Sequence, residues 1–180
     1  MTPLITEHVD VLITTIEDMA RIYSMDCGRI RTDEIVKGDI GRLEDEDVQA
    51  FLQQLVDRFD LQVVGVTIRY PDTHEQHRWE SAAMARDATA GGVTFFRSAE
   101  VRPIVLMDRL GGGDTWNGGF YYGLLTERDR AVAIQKGVLV GDAATRLKQT
   151  LMYDLPIITR QEIQARMKAD VAGGGKRTAR

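Results

Sequence analysis

Cysteine and proline are scarce in this 180-residue chain: one Cys, at position 27, and four Pro. A single cysteine excludes an internal disulfide and suits a reducing compartment. The sequence has no run of about 18 apolar residues, so no membrane-spanning helix is expected. No basic segment followed by an apolar one opens the chain, so it does not read as secreted. Cytoplasmic location is the expectation. Positive charge is not in excess: 23 Lys and Arg face 27 Asp and Glu, for a formal net charge of -4. That balance gives no reason to expect nucleic acid or an anionic membrane as partner. The histidines, His8, His74 and His77, lack metal-ligand spacing with Cys27, which argues against a structural zinc. No internal repeat is present. The rest is ordinary for a globular chain, with 43% hydrophobic and 28% charged residues. The length fits one domain with a real core.

Patterning predicts an α/β chain. Val9 to Ile13 (VDVLI) and Leu61 to Ile68 are β-branched and nearly uncharged, which predicts buried strands. Between them, a short helix is predicted over Glu17 to Tyr23 and weak structure over 24–43. Glu44 to Phe59 is the clearest helix: Val48, Phe51, Leu52, Leu55, Val56 and Phe59 recur three and four apart. The acidic run Glu44-Asp45-Glu46-Asp47 reads as the solvated start of that helix, favoured by its dipole, rather than as a metal site. Strand, helix, strand at this spacing predicts a βαβ unit and a mainly parallel sheet. Short strands are predicted over 77–84, 93–97 and 101–107, pairing antiparallel at one side. Helices are predicted over Asp114 to Leu125, Asp129 to Leu147 and Arg160 to Lys168, the last with a Thr159/Glu162 capping box. Gly118, Gly119 and Gly123 each cost a helix about 1 kcal/mol, so their presence implies close packing against another backbone. The expected organisation is one domain over 1–170 and a flexible tail over 171–180.

The densest signal is Asp108-Arg109-Leu110-Gly111-Gly112-Gly113-Asp114-Thr115. A glycine triplet between a predicted strand and a predicted helix brings bare N–H groups together where a helix dipole favours an anion. A carboxylate there repels phosphate unless it takes a proton from a nucleophile beside it. Anion site plus base is a phosphoryl-transfer arrangement. A tight turn with an N-cap is the competing explanation.

The segment resembles the signature of the ribokinase-like (PfkB) carbohydrate kinases, in the form carried by the branch that phosphorylates 2-keto-3-deoxygluconate. The resemblance runs from about Val9 to Lys168 and covers the C-terminal part of that family's fold. It implies a three-layer α/β/α architecture, use of ATP and Mg²⁺, and a sugar or sugar-acid substrate. It also implies that Asp114 is the catalytic base and that Gly111, Gly112 and Gly113 form the anion hole. Asp108 matches the motif's upstream aspartate, orienting water or magnesium or bracing Arg109. Arg109 has two open roles, neutralising phosphate or pairing with Asp108.

Thr67-Ile68-Arg69, taken as a strand end, resembles the TLR element of the same branch and implies a nucleotide contact at Thr67 and a phosphate contact at Arg69. Thr15-Ile16-Glu17-Asp18 matches the family's Asn-x-x-Glu element, with Thr15 in place of the asparagine. It implies that Asp18 orders magnesium. Lys136, Gly137 and Gly141 match the region flanking the adenine. Their small neighbours fit either a flat ring or helix packing. The family's members are roughly twice this length. Self-association, a complementary N-terminal half, and a non-catalytic nucleotide-binding remnant are therefore open, as is another sugar of the ribose or fructose type.

Overall fold

The structure, a computed structural model, describes residues 2–38, 40–41, 43–71, 76–87, 91–99, 104–150 and 159–173. In chain order the elements are α1 (Thr2–His8), β1 (Val11–Thr15), α2 (Ile16–Tyr23), α3 (Thr32–Lys37), α4 (Asp45–Phe59), β2 (Val63–Pro71), β3 (Gln76–Arg86), β4 (Val93–Arg97), β5 (Ile104–Val105), α5 (Gly112–Thr126), α6 (Arg130–Thr150) and α7 (Arg160–Gly173). The strands form one sheet of order β1-β2-β3-β4, with β5 also paired to β3. β1 and β2 run parallel, whereas β3 is antiparallel to both β4 and β5. The sheet is thus mixed. The parallel character expected of it holds at β1/β2, and the antiparallel side is where the short strands predict it. The residues pack as two compact units, Met1–Ile68 with Ala82–Arg97, and Arg69–Ser81 with Ser98–Arg180.

In the first unit, Thr15 ends β1 and caps α2: its Oγ1 accepts from the Asp18 N–H at 3.0 Å. The register sets Thr15 beside Thr67. α4 buries the six apolar residues that its periodicity picks out. Asp47 departs from the solvated reading. It is buried and accepts from Arg29 N at 3.1 Å and from Arg29 Nη2 at 3.1 Å, and the Arg29 guanidinium holds its carboxyl below the usual range. α3 falls within the stretch expected to be weakly structured. It spans only six residues and buries only Ile35, too little periodicity to detect. Glu34 accepts from Arg31 N at 2.8 Å to start it, and Gly38, at φ 82°, stops it. α1 is likewise unanticipated.

In the second unit α5 packs on α6 backbone to backbone. A Cβ on Gly119 would lie 2.6 Å from Gly141 Cα, and one on Gly123 would lie 2.2 Å from Gly137 N. The glycines cost helix propensity and return contact that no larger residue permits. Thr159 and Glu162 form the anticipated box: Thr159 N donates to Glu162 Oε2 at 2.7 Å, and Glu162 N donates to Thr159 Oγ1 at 3.3 Å. α7 runs to Gly173. Residues 174–180 lie outside the described part. No helix among the described residues is long and apolar enough to cross a membrane.

Candidate active site

β5 supplies only Ile104–Val105 of the strand expected over 101–107. Residues 101–103 lie outside the described part, and the chain leaves the sheet after Val105. Beyond that point Met107 and Asp108 are held down by the last turn of α6: Met107 N and Asp108 N both donate to Gln149 O, at 2.9 and 3.3 Å. Asp108 Oδ2 accepts from Lys148 Nζ at 2.6 Å, and its Oδ1 accepts from Leu110 N at 2.9 Å. Lys148, then the Leu110 amide, hold the Asp108 carboxyl below the usual range. Of the roles open for Asp108, bracing is the one with contacts, and the partner is Lys148 rather than Arg109. Arg109 is exposed.

The three glycines do three different things. Gly111 is the N-cap of α5 at φ 72°, a left-handed conformation that glycine adopts without strain. Gly112 is buried under α6: a Cβ there would meet Gln149 Nε2 at 2.9 Å, and its carbonyl accepts from Thr145 Oγ1 at 3.2 Å. Gly113 needs neither. It is exposed, helical, and has open space where a Cβ would go. The helix therefore starts two residues before Asp114, with Gly112 and Gly113 in its first turn.

The first bond of α5 runs from Thr115 N to Gly111 O at 2.9 Å. Upstream of it, Gly112 N reaches Arg109 O only at 3.4 Å, and Gly113 and Asp114 stand among the N–H groups that helix geometry leaves unpaired. Asp114 is the third helical residue. It is exposed and has no ion pair or hydrogen bond among the described residues. Negative charge is favourable in a first turn, which by itself accounts for an acid there. The feature that goes further is a free carboxylate directly beside unpaired N–H groups.

Other predicted positions fare unevenly. Arg69 is exposed, but β2 continues through it to Pro71, so it does not end the strand. Thr67 is half-buried, Asp18 is exposed at the start of α2, and both belong to the first unit. Lys136 Nζ is paired with Glu127 and lies 5.2 Å from the Tyr122 ring centroid. Gly137 and Gly141 are taken by helix packing, since a Cβ on either would meet Phe120 at 2.8 Å or Trp116 at 2.9 Å. The flat ring they admit is thus a side chain of α5. No group of three or more His, Cys, Asp or Glu capable of holding a metal occurs among the described residues. Cys27 is buried and its thiol is pushed up to about 12 by desolvation and the Asp47 charge, so it is no nucleophile.

Sequence reasoning missed one cluster. Asp142, 3% exposed, accepts at Oδ1 from Ser81 Oγ at 2.6 Å, Trp116 Nε1 at 3.0 Å and Trp79 Nε1 at 3.1 Å. Its Oδ2 has no hydrogen-bond partner among the described residues. Burial pushes its carboxyl up, against the lowering by Ser81, Ser98, Trp79 and the Arg146 charge. The available signal is a lone acid in Gly137 to Thr145, a stretch otherwise without charge.

No family model matches the chain, and no curated protein matches it. Solved structures do. The 2-dehydro-3-deoxygluconokinase of Thermotoga maritima aligns over 92% of this chain with a TM-score of 0.67 and 23% identity. The fold is that of the ribokinase-like PfkB kinases. A proposed 2-keto-3-deoxygluconate kinase from Enterococcus faecalis aligns over 91%, at TM-score 0.65 and 16% identity. A PfkB family carbohydrate kinase from Listeria grayi aligns over 93%, at 0.56 and 17%. The chain spans 41–43% of the length of these PfkB-fold structures.

Proposed function

We propose that the chain is the phosphoryl-transfer portion of an ATP-dependent sugar kinase, with 2-dehydro-3-deoxygluconate as the favoured acceptor and a ribose- or fructose-type sugar as the alternative. One observation carries the reading: an unpartnered Asp114 carboxylate beside the unpaired N–H groups at the start of α5, in a PfkB fold.

The open space at Gly113 fits an anion, since a side chain there would cover the N–H groups. ATP, when bound, supplies the transferred phosphoryl group, with Mg²⁺ carried largely on its phosphates and water. In this reading Gly111 turns the backbone, the Gly113 and Asp114 amides stabilise negative charge, and the Asp114 carboxylate takes the proton of the acceptor hydroxyl. Arg109 and Arg69 neutralise phosphate, and Asp18 and Thr67, which belong to the first unit, take no part in this reading. Lys136, Gly137 and Gly141 are left out, because each is engaged elsewhere. A second reading, nucleotide binding without turnover, is supported by the N–H groups at the start of α5, which favour an anion whether or not Asp114 takes a proton.

ADP release, coupled to an optical readout across a sugar and sugar-acid panel, tests both. Turnover with the keto-deoxy acid supports the first reading, and calorimetric Mg·ATP binding without turnover supports the second. Asp114→Asn is expected to lower kcat by at least about a hundredfold with little change in ATP affinity. Turnover surviving in that variant removes Asp114 from the chemistry.

A further inference from the structure

A buried carboxyl group with one oxygen lacking a partner among the described residues is costly, and a packed apolar residue would be cheaper. At Asp142 the cost has a visible counterpart in geometry. Oδ1 gathers donors from two elements: the Trp79 indole and Ser81 hydroxyl of β3, and the Trp116 indole of α5. Trp116 also reaches Ser81 Oγ at 3.0 Å, and Ser81 is fixed in turn, because its N–H donates to Ser98 Oγ at 2.9 Å. Trp116 is fully buried, stacks on Phe120 at 4.7 Å, and stands two residues after Asp114.

Of the groups in this cluster, Trp116 is the one that lies within the opening turns of α5. The Gly119/Gly141 and Gly123/Gly137 contacts fix how closely α5 lies on α6. Glycine against glycine is smooth, however, and offers little resistance to rotation or sliding of one helix along the other. Directional bonds from Trp116 supply that resistance.

We propose that Asp142 is a positioning residue for the Gly111–Asp114 turn, acting through Trp116 to fix the rotation and depth at which α5 begins. Its catalytic consequence rests on the kinase reading above; its structural consequence does not. Residue-resolved amide exchange on the full chain separates the two. The amide to watch is Thr115, whose bond to Gly111 O closes the turn, with Phe51 and Leu52 of α4 as internal references.

Trp116→Phe keeps the stacked ring and removes the N–H. It is expected to speed Thr115 exchange about tenfold while the reference amides stay within about twofold. Asp142→Leu should do the same, and Asp142→Asn, which retains an acceptor oxygen, should restore near-parental exchange. Trp79→Phe, which removes the β3 indole donor alone, should leave Thr115 within about twofold. Unchanged Thr115 exchange in Trp116→Phe overturns the proposal even if Asp142→Leu fails to fold. So does Asp142→Asn behaving like Asp142→Leu, or Trp79→Phe matching Trp116→Phe. In the ADP-release assay Trp116→Phe should lower kcat about tenfold with KM for ATP within about twofold, and a drop confined to KM overturns the positioning role. A parental chain without turnover on any sugar sinks the kinase reading and leaves the exchange result to decide the tie.

Discussion

Asp108 and Lys148 form a 2.6 Å ion pair that ties the residues ahead of the glycine turn to the last turn of α6. Lys148 is 11% exposed on its side chain, so its charge has little water to fall back on. Asp108→Asn should therefore destabilise the chain at neutral pH. The folded-state pKa of Asp108 lies below its ordinary value, so the pair's contribution is full above about pH 4 and is lost as pH falls through the depressed value. Urea melts of parent and variant should differ at pH 7 and draw together as pH falls below about 4. A constant gap across that range would show that something other than ionised Asp108 is responsible.

Asp142 carries the opposite sign. Its folded pKa is raised, so the native state holds a proton that the unfolded chain releases above about pH 4. Stability at this site falls as pH rises through that value toward the raised one. Asp142→Asn, which cannot ionise, should gain relative to the parent between pH 4 and pH 7. A gap that narrows with rising pH would place the shift in the wrong direction.

Neighbouring glycines in α5 should respond in opposite ways to alanine. Gly123→Ala drives a Cβ to 2.2 Å from Gly137 N, a backbone atom that cannot step aside, and should cost about 3 kcal/mol. Gly118→Ala meets nothing within 4 Å and should gain up to about 1 kcal/mol from helix propensity. Thermal and denaturant melts of the two variants check the contrast.

Within the triplet, Gly111→Ala should cost about 1 kcal/mol for its left-handed backbone. Gly113→Ala should fold at least as well as the parent and lose about tenfold in calorimetric Mg·ATP affinity, since a Cβ there covers the free amides. Unaltered affinity would remove Gly113 from the anion site.

Cys27 should resist thiol reagents in the native chain at pH 8 and label fully in denaturant, because it is buried and stays protonated. Rapid native labelling would mean that the first unit opens around it.

Where one element carries its own pattern, the sequence was enough. α4 is legible because its buried residues repeat at helical spacing, and the β5-to-α5 turn because glycine and aspartate punctuate it. Gly118, Gly119 and Gly123 pointed to close packing, which holds for the last two, whereas Gly118 faces open space. Gly137 and Gly141 read equally well as a ring site until the facing helix was known. Asp142 was illegible for a different reason. Its partners Trp116 and Trp79 lie 26 and 63 residues away, so no local window contains the arrangement. The same holds for Lys148, whose partner Asp108 stands 40 residues before it.

The chain contains two tryptophans, and both donate to a single oxygen of Asp142. Its indole emission therefore originates from one place, immediately behind the glycine turn. A change in colour or quenching on adding a ligand would report on the start of α5 without a dye or an introduced probe. The molecule thus carries a built-in optical gauge for the glycine turn.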